Sequence, residues 1–584
     1  MKLRAIVIAA AALAALFGPD TGPADAAGAP TAVSSPITVG APAVVSAPTA
    51  VTTSAAASPP ITVSPPTALR PGPDSLSSPS PSTDAPDTVR VDTGLLHGSS
   101  NETARHFLGV PYAKPPVGEL RWAPPQPAAP WDGVREAVQP GSRCPQTSAG
   151  PGQPASSDED CLYVNVTTPR RVAPGARLPV MVWWHGGGYV NGAGSDYDAD
   201  RLASQGDVVV VTLNSRLGIF GYFGLPGLPG SGDFGLEDQL AGARWAKRNA
   251  AAFGGDPDNI TVFGESSGGM STCAALTSPQ AEGLIDRAII SSGSCLLDWP
   301  AGALYVGTPA ATPYTSLEQD LADGIAAAHG AGCRTDELSC MRAKPAADLV
   351  PLNQSFSDHL AFGTPLLPLD PAVAVREGRF LSVPVISGGN RDEARSFVGA
   401  AVETDPTLVT AETYPSLLFA AFGVQADRVA ARYPLSRYGG SAPLAFATVI
   451  TDASWACRTA SADRAMAAHT TVYPYEFADP NAPDVNGIHL PDLPQGAAHA
   501  TDLPSLFDLG GLNFLQTDAQ RAMAATMIQY WTAFARTGDP NHPGAPRWSA
   551  ATIRGGDQLR FVPGRILEAD VAADHQCAFW ETVR

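Results

Sequence analysis

Long apolar runs separated by helical patterns organise the chain from about residue 88 to its end. Residues 178–188 (LPVMVWWHGGG) and 207–216 (DVVVVTLNSR) each contain a nearly continuous apolar stretch, and so do residues 259–269, 287–294 and 383–390. Residues 238–252 instead repeat apolar positions with the 3.6-residue period of a helix. Strands that are apolar on both faces are typical of a parallel sheet covered by helices. The pattern therefore predicts an α/β fold with a mainly parallel central sheet and helices on both faces.

The N-terminus has the pattern of an export signal. Lys2 and Arg4 are followed by an apolar run over residues 5–17, and Ala24-Asp25-Ala26 has the A-x-A form of a cleavage site. The run is too short for a stable membrane span. We predict a signal peptide over residues 1–26 that is cleaved near Ala26, and a retained membrane anchor is the alternative.

Residues 27–87 differ in composition from the rest of the chain. They are rich in Pro, Ala, Ser, Thr and Val and contain almost no charge, as in SSPSPSTDAPD at 77–87. Such a segment buries too little apolar surface to offset the entropy lost on ordering. It is predicted to be a disordered or extended linker before a globular domain at residues 88–584.

Charge and cysteine content narrow the range of partners. The formal net charge of −19 argues against nucleic acid and anionic lipid surfaces, and no later segment approaches 18 apolar residues, so stable membrane insertion is not expected. Export permits disulfides, and an even cysteine count fits four bridges. None of the cysteines forms a CxxC pair, so no metal site is expected. The eight cysteines are Cys144, Cys161, Cys273, Cys295, Cys333, Cys340, Cys457 and Cys577.

Two glycine-rich motifs follow predicted strands. Residues 264–268 form a G-x-S-x-G sequence, which holds a serine on a sharp strand-to-helix turn and predicts Ser266 as a nucleophile. His185 precedes three glycines, whose backbone can approach a reacting oxyanion closely. We predict the N–H groups of Gly187, Gly188 and Ser267 as oxyanion donors. The alternatives are an ordinary glycine-rich corner and a flexible loop.

A serine nucleophile needs a base and a carboxylate that orients the base. In α/β-hydrolases the acid and then the histidine follow the serine along the chain. His499, in a loop of small residues, is favoured over His489, in a proline-rich loop. For the acid, Asp392 and Glu393 both follow a predicted strand, Asp370 is a more remote option, and solvated loop charges are the alternative.

Four long motifs occur in an order that resembles the type-B carboxylesterase, cholinesterase and lipase family. They are FLGVPYAKPPVGELRW (107–122), SDEDCLYVNV (157–166), the segment 235–269 around Ser266, and WTAFARTGDPN (531–541). The resemblance covers residue 88 to the C-terminus and implies an α/β-hydrolase fold. It also implies Glu393 as the acid and His499 as the base.

The same resemblance implies structural contacts. It implies ion pairs between Arg121 and Glu159 and between Arg216 and Asp238. It implies three disulfides, and the two remaining cysteines are predicted to form a fourth bridge. The expected pairs are Cys144–Cys161, Cys333–Cys340, Cys457–Cys577 and Cys273–Cys295.

The chain departs from the family pattern at a few positions. Ser267 stands where the family usually has Ala, which leaves the backbone N–H in place, and Ala394 replaces a usual Gly. The loop between Cys144 and Cys161 has no aromatic residue. Cholinesterases bind a quaternary ammonium there through a Trp, so choline esters are not expected as preferred substrates.

Together these features predict a secreted serine carboxylic ester hydrolase that acts on a small-molecule ester through an acyl-enzyme and needs no cofactor. An excess of Arg over Lys with many Ala and Pro hints at a GC-rich bacterial genome. One alternative is a lipase for longer acyl chains, with residues 299–362 lining its pocket. The other is a binding protein on the same fold. The oligomeric state is left open.

Overall fold

The computed structural model describes residues 83–150, 152–173 and 175–583. The predicted signal peptide (1–26) and residues 27–82 of the predicted linker lie outside the described residues. The described chain begins with the short strand Thr83–Asp84, which pairs with Arg171–Val172.

An eleven-stranded mixed sheet forms the centre of the described chain. Its strands are, in chain order, β1 Ser99–Ser100, β2 Ala104–Pro111, β3 Tyr163–Pro169, β4 Leu178–Trp184, β5 Val209–Leu213, β6 Gly255–Glu265, β7 Arg287–Ser291, β8 Val385–Asn390, β9 Val472–Phe477, β10 Gln558–Val562 and β11 Arg565–Ala569. The order across the sheet is β1-β2-β3-β5-β4-β6-β7-β8-β9-β10-β11. Neighbours from β5 to β10 are parallel, and the outer pairs are antiparallel. The predicted α/β-hydrolase fold with a mainly parallel sheet is therefore confirmed.

Helices surround this sheet. In the described residues the α-helices are α1 Asp200–Gly206, α2 Gly218–Tyr222, α3 Phe234–Asn249, α4 Ser267–Leu276, α5 Leu317–Gly330, α6 Glu337–Arg342, α7 Ala346–Leu349, α8 Pro371–Arg376, α9 Arg395–Thr404, α10 Tyr414–Phe422, α11 Ala426–Arg432, α12 Ala442–Ile450, α13 Cys457–Met466, α14 Asp518–Thr537, α15 Val571–Asp574 and α16 Cys577–Trp580. A π-helical segment, Thr451–Ala456, joins α12 to α13. None of the helices in the described part of the chain combines the length and hydropathy needed to cross a bilayer.

The two faces of the sheet bury separate apolar clusters. Along β4, Val182 and Trp184 pack into one cluster, whereas Met181 and Trp183 pack into the other. Side chains alternate between the faces of a strand, so a strand covered on both faces must be apolar at every position. This explains why the runs at 178–188 and 207–216 lack the alternation of a half-exposed strand.

Smaller sheets lie outside the central one. A three-stranded sheet is built from Thr88–Val91, Gly94–His97 and Val134–Glu136. Two-stranded pairs join Tyr197–Asp198 to Asp508–Leu509 and Tyr314–Ser316 to Leu360–Phe362. Helix α3 begins at Phe234, four residues before the periodic stretch predicted from 238, because Phe234 and Leu236 are also buried against the core.

Disulfides and ion pairs tie distant segments together. Each of the four disulfides joins the cysteines that were expected to pair, namely Cys144–Cys161, Cys273–Cys295, Cys333–Cys340 and Cys457–Cys577. Both expected ion pairs are also present. Arg121 Nη2 lies 2.5 Å from Glu159 Oε2. Arg216 Nε lies 2.7 Å from Asp238 Oδ2, with both side chains almost completely buried.

Candidate active site

Ser266 occupies a sharp turn between β6 and α4. Its backbone has φ 57° and ψ −127°, a conformation that a residue with a side chain rarely adopts. Its N–H is anchored by the carbonyl of Ser291, 3.0 Å away at the end of β7. A Cβ on Gly268 would lie 1.9 Å from the Trp184 carbonyl, so only glycine allows this close packing. The turn leaves Ser266 half-buried at the carboxyl edge of the sheet, where it lines a cavity.

Glu393 and His499 form a buried hydrogen-bonded pair beside this turn. Glu393 lies three residues beyond β8, and its Oε2 lies 2.5 Å from His499 Nδ1. Its Oε1 accepts hydrogen bonds from Ser292 Oγ at 2.5 Å and from Asn390 N at 2.8 Å. Both oxygens of the carboxylate are therefore held by hydrogen bonds. Because Nδ1 of His499 faces Glu393, Nε2 lies on the far side of the ring from Glu393. Both His499 and Ser266 line the same cavity.

Two aromatic rings hold the imidazole from the side. The ring centroid of His499 lies 5.0 Å from that of Phe397 on α9 and 5.1 Å from that of Trp455 in the π-helical segment. Phe397 and Trp455 stack on each other with an interplanar angle of 11°. This packing limits rotation of the imidazole ring about its side-chain bonds.

The glycines after β4 form a tight turn against Ser266. Gly187 has φ 111° and Gly188 has φ 61°, and a Cβ on Gly187 would lie 2.2 Å from the Asn191 carbonyl. A Cβ on Gly186 would lie 3.0 Å from the Ser266 Cβ, which shows how closely the turn approaches the serine. Neither the Gly187 nor the Gly188 N–H donates to an acceptor among the described residues. Both glycines line the cavity.

A third carboxyl group, that of Glu265, lies next to the imidazole. Glu265 Oε1 is 3.3 Å from His499 Nε2, and burial raises the pKa of Glu265 to about 8. Burial disfavours the charged form of His499, but Glu265 and Glu393 together outweigh that effect and raise the pKa of His499 to about 9. Glu265 and His499 therefore titrate as a coupled pair.

The alternative acid and base residues lie in other environments. His489 is largely exposed and lies 3.3 Å from Asp484. Asp392 lies 2.8 Å from Arg395 Nη2, and Asp370 caps α8 through the N–H of Ala372. None of these residues lines the cavity that holds Ser266.

The cavity encloses about 920 Å³ not occupied by protein atoms, the open space at its mouth included. Its walls are mainly aromatic and apolar. Trp299, Leu304, Tyr305 and Asp358 come from the segment 299–362 that the sequence suggested as a pocket wall. Within the described residues, no group of three or more His, Cys, Asp or Glu side chains is placed to hold a metal ion.

Several residues of the site were not found from the sequence. Glu265 is the variable position of the G-x-S-x-G motif, so its place beside the serine could have drawn notice. Ser292, Phe397, Trp455 and Asp358 lie in no motif and reach the site only through the fold.

Comparison with known proteins identifies the family. A family model described as the carboxylesterase family matches residues 85–580. Para-nitrobenzyl esterase of Bacillus subtilis is 35% identical, and the match covers 79% of this chain and 92% of that protein. Pyrethroid hydrolase Ces2e of Rattus norvegicus is 32% identical over 79% of this chain and 83% of its own length. Acylcarnitine hydrolase of Mus musculus is 31% identical over 79% of this chain and 84% of its own length. The chain belongs to the carboxylesterase family and is a carboxylic ester hydrolase.

Proposed function

We propose that the protein hydrolyses small-molecule carboxylic esters through an acyl-enzyme, with Ser266 as nucleophile, His499 as base and Glu393 as the acid that orients the base. The observation that carries the proposal is the strained Ser266 turn in one cavity with a histidine that is hydrogen-bonded through Nδ1 to a buried carboxylate. A non-glycine residue at such a φ costs about 1–3 kcal/mol and persists mainly where function requires it.

The chemistry follows from which atoms are free. With Nδ1 engaged by Glu393, Nε2 is the nitrogen of the neutral imidazole that takes the proton from Ser266 Oγ as Oγ attacks the ester carbonyl, and Glu265 Oε1 lies 3.3 Å from it. The imidazolium then gives that proton to the departing alkoxide. Water attacks the acyl-enzyme with the same base and releases the acid.

The tetrahedral intermediates need donors for the developing oxyanion. The N–H groups of Gly187 and Gly188 are free of acceptors among the described residues, and Ser267 N–H is in the first turn of α4, where helical N–H groups lack partners. We assign these three N–H groups as the oxyanion hole. Each donor in such a site contributes about 2.7–4 kcal/mol to transition-state stabilisation.

Hydrolysis of p-nitrophenyl esters by the mature protein tests the mechanism. We expect Ser266→Ala to lower kcat by at least about a thousandfold. Ser278→Ala is the matched control and should keep its activity, because the Ser278 hydroxyl caps a short helical turn and does not line the cavity. Comparable rates for wild type and Ser266→Ala would contradict the assignment of the nucleophile.

Acyl-chain length separates a carboxylesterase from the lipase alternative. Trp299, Leu304 and Met270 give the cavity apolar walls, but its interior is narrow, with only about 80 Å³ open to the centres of water-sized molecules. We therefore expect kcat/KM to peak at short p-nitrophenyl esters and to fall for long chains. A profile that rises to long chains would favour the lipase alternative.

We also propose that the protein is secreted, with a signal peptide at 1–26, a linker at 27–87 and the catalytic domain at 88–584. The four disulfides support this, since disulfides persist mainly in oxidising compartments. The intact mass of protein recovered from the medium of a secreting host tests it, and we expect a mature N-terminus near Ala27. An uncleaved, cell-retained chain would contradict the proposal.

A further inference from the structure

Asp358 places a carboxylate in the wall of the catalytic cavity. It lines the same cavity as Ser266 and His499. Its backbone has φ 49°, in the left-handed region that Asp and Asn tolerate better than most residues with a side chain. The preceding hydroxyl, Ser357 Oγ, lies 3.1 Å from the Gly188 carbonyl and 2.9 Å from Asp358 Oδ2. Ser357 thus links the carboxylate to the glycine turn that faces Ser266.

No Lys or Arg pairs with this carboxylate among the described residues, and the imidazoles of His359 and His499, which attract it, are engaged by other carboxylates. Asp358 Oδ1 accepts no hydrogen bond from the described residues. The neighbouring His359 is engaged elsewhere, since its Nε2 lies 3.5 Å from Asp320 Oδ1 and 3.6 Å from Asp323 Oδ2. A carboxylate that is partly buried without a partner carries a desolvation cost that a ligand cation would relieve.

Apart from His499, which is paired with Glu393 and Glu265, the rest of the cavity adds negative charge and no positive charge. Its lining contains no Lys or Arg, and besides Asp358 it contains the carboxyl groups of Asp196 and Glu265. Asp196 is paired with Arg143 at 2.5 Å, and Glu265 faces His499. Burial raises the pKa of Asp358 to about 6, so it is ionised at neutral and alkaline pH. Asp358 is therefore the carboxylate of this cavity for which a cationic group of the substrate could supply the charge partner.

The position of Asp358 indicates which end of the substrate it meets. The leaving oxygen of the ester must face His499 Nε2 to receive its proton. Phe397 and Trp455 pack around that imidazole and border the leaving-group side. Asp358 is instead linked through Ser357 to the Gly188 turn, whose N–H we assign to the oxyanion hole. The carbonyl oxygen that the oxyanion hole would hold belongs to the acyl portion of the ester. Asp358 should meet the acyl portion rather than the alcohol.

We propose that Asp358 is a specificity-determining residue that selects esters whose acyl portion carries an ammonium group. The inference rests on the proposed function, because it needs Ser266 to be the nucleophile. An ammonium would donate to Asp358 Oδ1, and a charged hydrogen bond in a partly desolvated site gives appreciable discrimination against a neutral isostere.

Paired esters that differ only in charge test the proposal. p-Nitrophenyl β-alaninate and p-nitrophenyl butanoate have acyl groups of the same shape, with ammonium replacing methyl. Butyrylcholine and neohexyl butanoate form the same pair on the alcohol side. The ratio of kcat/KM within each pair is measured at pH 8 for wild type, Asp358→Asn and the exposed control Asp132→Asn. Asn suits the left-handed backbone at position 358, so the fold should be retained.

We expect wild type to favour the ammonium ester of the acyl pair by at least about tenfold. Asp358→Asn should lose that preference, which is read as the ratio within the acyl pair so that any change common to both esters cancels, whereas Asp132→Asn should keep it. A preference that survives Asp358→Asn, or that appears only in the alcohol pair, would overturn the inference while leaving the esterase mechanism intact. If wild type does not exceed Ser266→Ala on the neutral ester, the proposed function fails and this inference fails with it.

Discussion

Replacing Glu265 by Gln should shift the pH dependence of ester hydrolysis. The proposed mechanism needs His499 to be neutral so that it can act as the base. Burial opposes its charge, but Glu265, whose Oε1 lies 3.3 Å from Nε2, and Glu393 raise its pKa to about 9. The charged imidazole is the form that Glu265 stabilises. Removing that carboxylate therefore lowers the pKa of His499, and the neutral base becomes available at lower pH.

A lower bound for this shift follows from the distance. Coulomb's law with the dielectric constant of water gives about 1.3 kcal/mol for unit charges at 3.3 Å, which corresponds to about one pKa unit. The pair is buried, so the effective dielectric constant is lower and the interaction stronger. We expect the acid limb of the kcat/KM profile to move down by at least about one pH unit.

The assay is kcat/KM for p-nitrophenyl butanoate across the acid limb, for wild type, Glu265→Gln and Glu282→Gln. Glu282 is exposed, so its replacement makes the same chemical change outside the cavity and should leave the limb in place. An acid limb for Glu265→Gln that coincides with that of wild type would refute the claim that Glu265 charge sets the basicity of His499. Equal shifts in both variants would indicate an effect of net charge alone.

Two further predictions concern stability. Asp238→Asn leaves the buried charge of Arg216 without its carboxylate partner at 2.7 Å, which should lower the free energy of unfolding by about 3–5 kcal/mol. For a domain of about 500 residues this lowers Tm by about 3–5 °C, and an unchanged Tm in calorimetry would contradict the prediction. His575 lies 2.6 Å from Asp452 and 2.7 Å from Glu476; burial opposes its charge, but the two carboxylates prevail and raise its pKa to about 10. The stability that charged His575 contributes is complete below its unfolded pKa of about 6.5 and is lost as the pH rises towards 10. In chemical denaturation we expect His575→Gln to be less stable than wild type at pH 6.5, and the difference in free energy of unfolding to become smaller by pH 10. A gap independent of pH would show that charge on His575 is not the source of the stability.

The local elements of the site could be predicted from short stretches of sequence. The strand-turn-helix around Ser266 and the turn at Gly187 and Gly188 depend on steric demands within a few residues, because only glycine allows the close approaches seen at Gly187 and Gly268. The parallel sheet could be predicted for a similar reason. A strand buried on both faces needs apolar side chains at successive positions, as in β4 and β5.

Residues distant in sequence could not be brought together by such arguments. From loops and strand ends alone, Asp392 and Glu393 remained equivalent, and a resemblance to known proteins was needed to choose between them. In the structure, Asp392 pairs with Arg395, whereas Glu393 reaches His499 across 106 positions of sequence. The side chains of these two adjacent residues point in different directions, and those directions depend on how the chain after β8 packs.

The chain by itself therefore determined the turn that carries Ser266, the glycine turn and the class of fold, since each depends on local sterics or on burial along a single strand. Only the tertiary structure decided which side chains line the cavity with Ser266, among them Glu265, Trp455 and Asp358. These residues come from β6, the π-helical segment and the loop before Leu360–Phe362. Their meeting in one cavity is a result of chain topology, which short-range patterns do not encode.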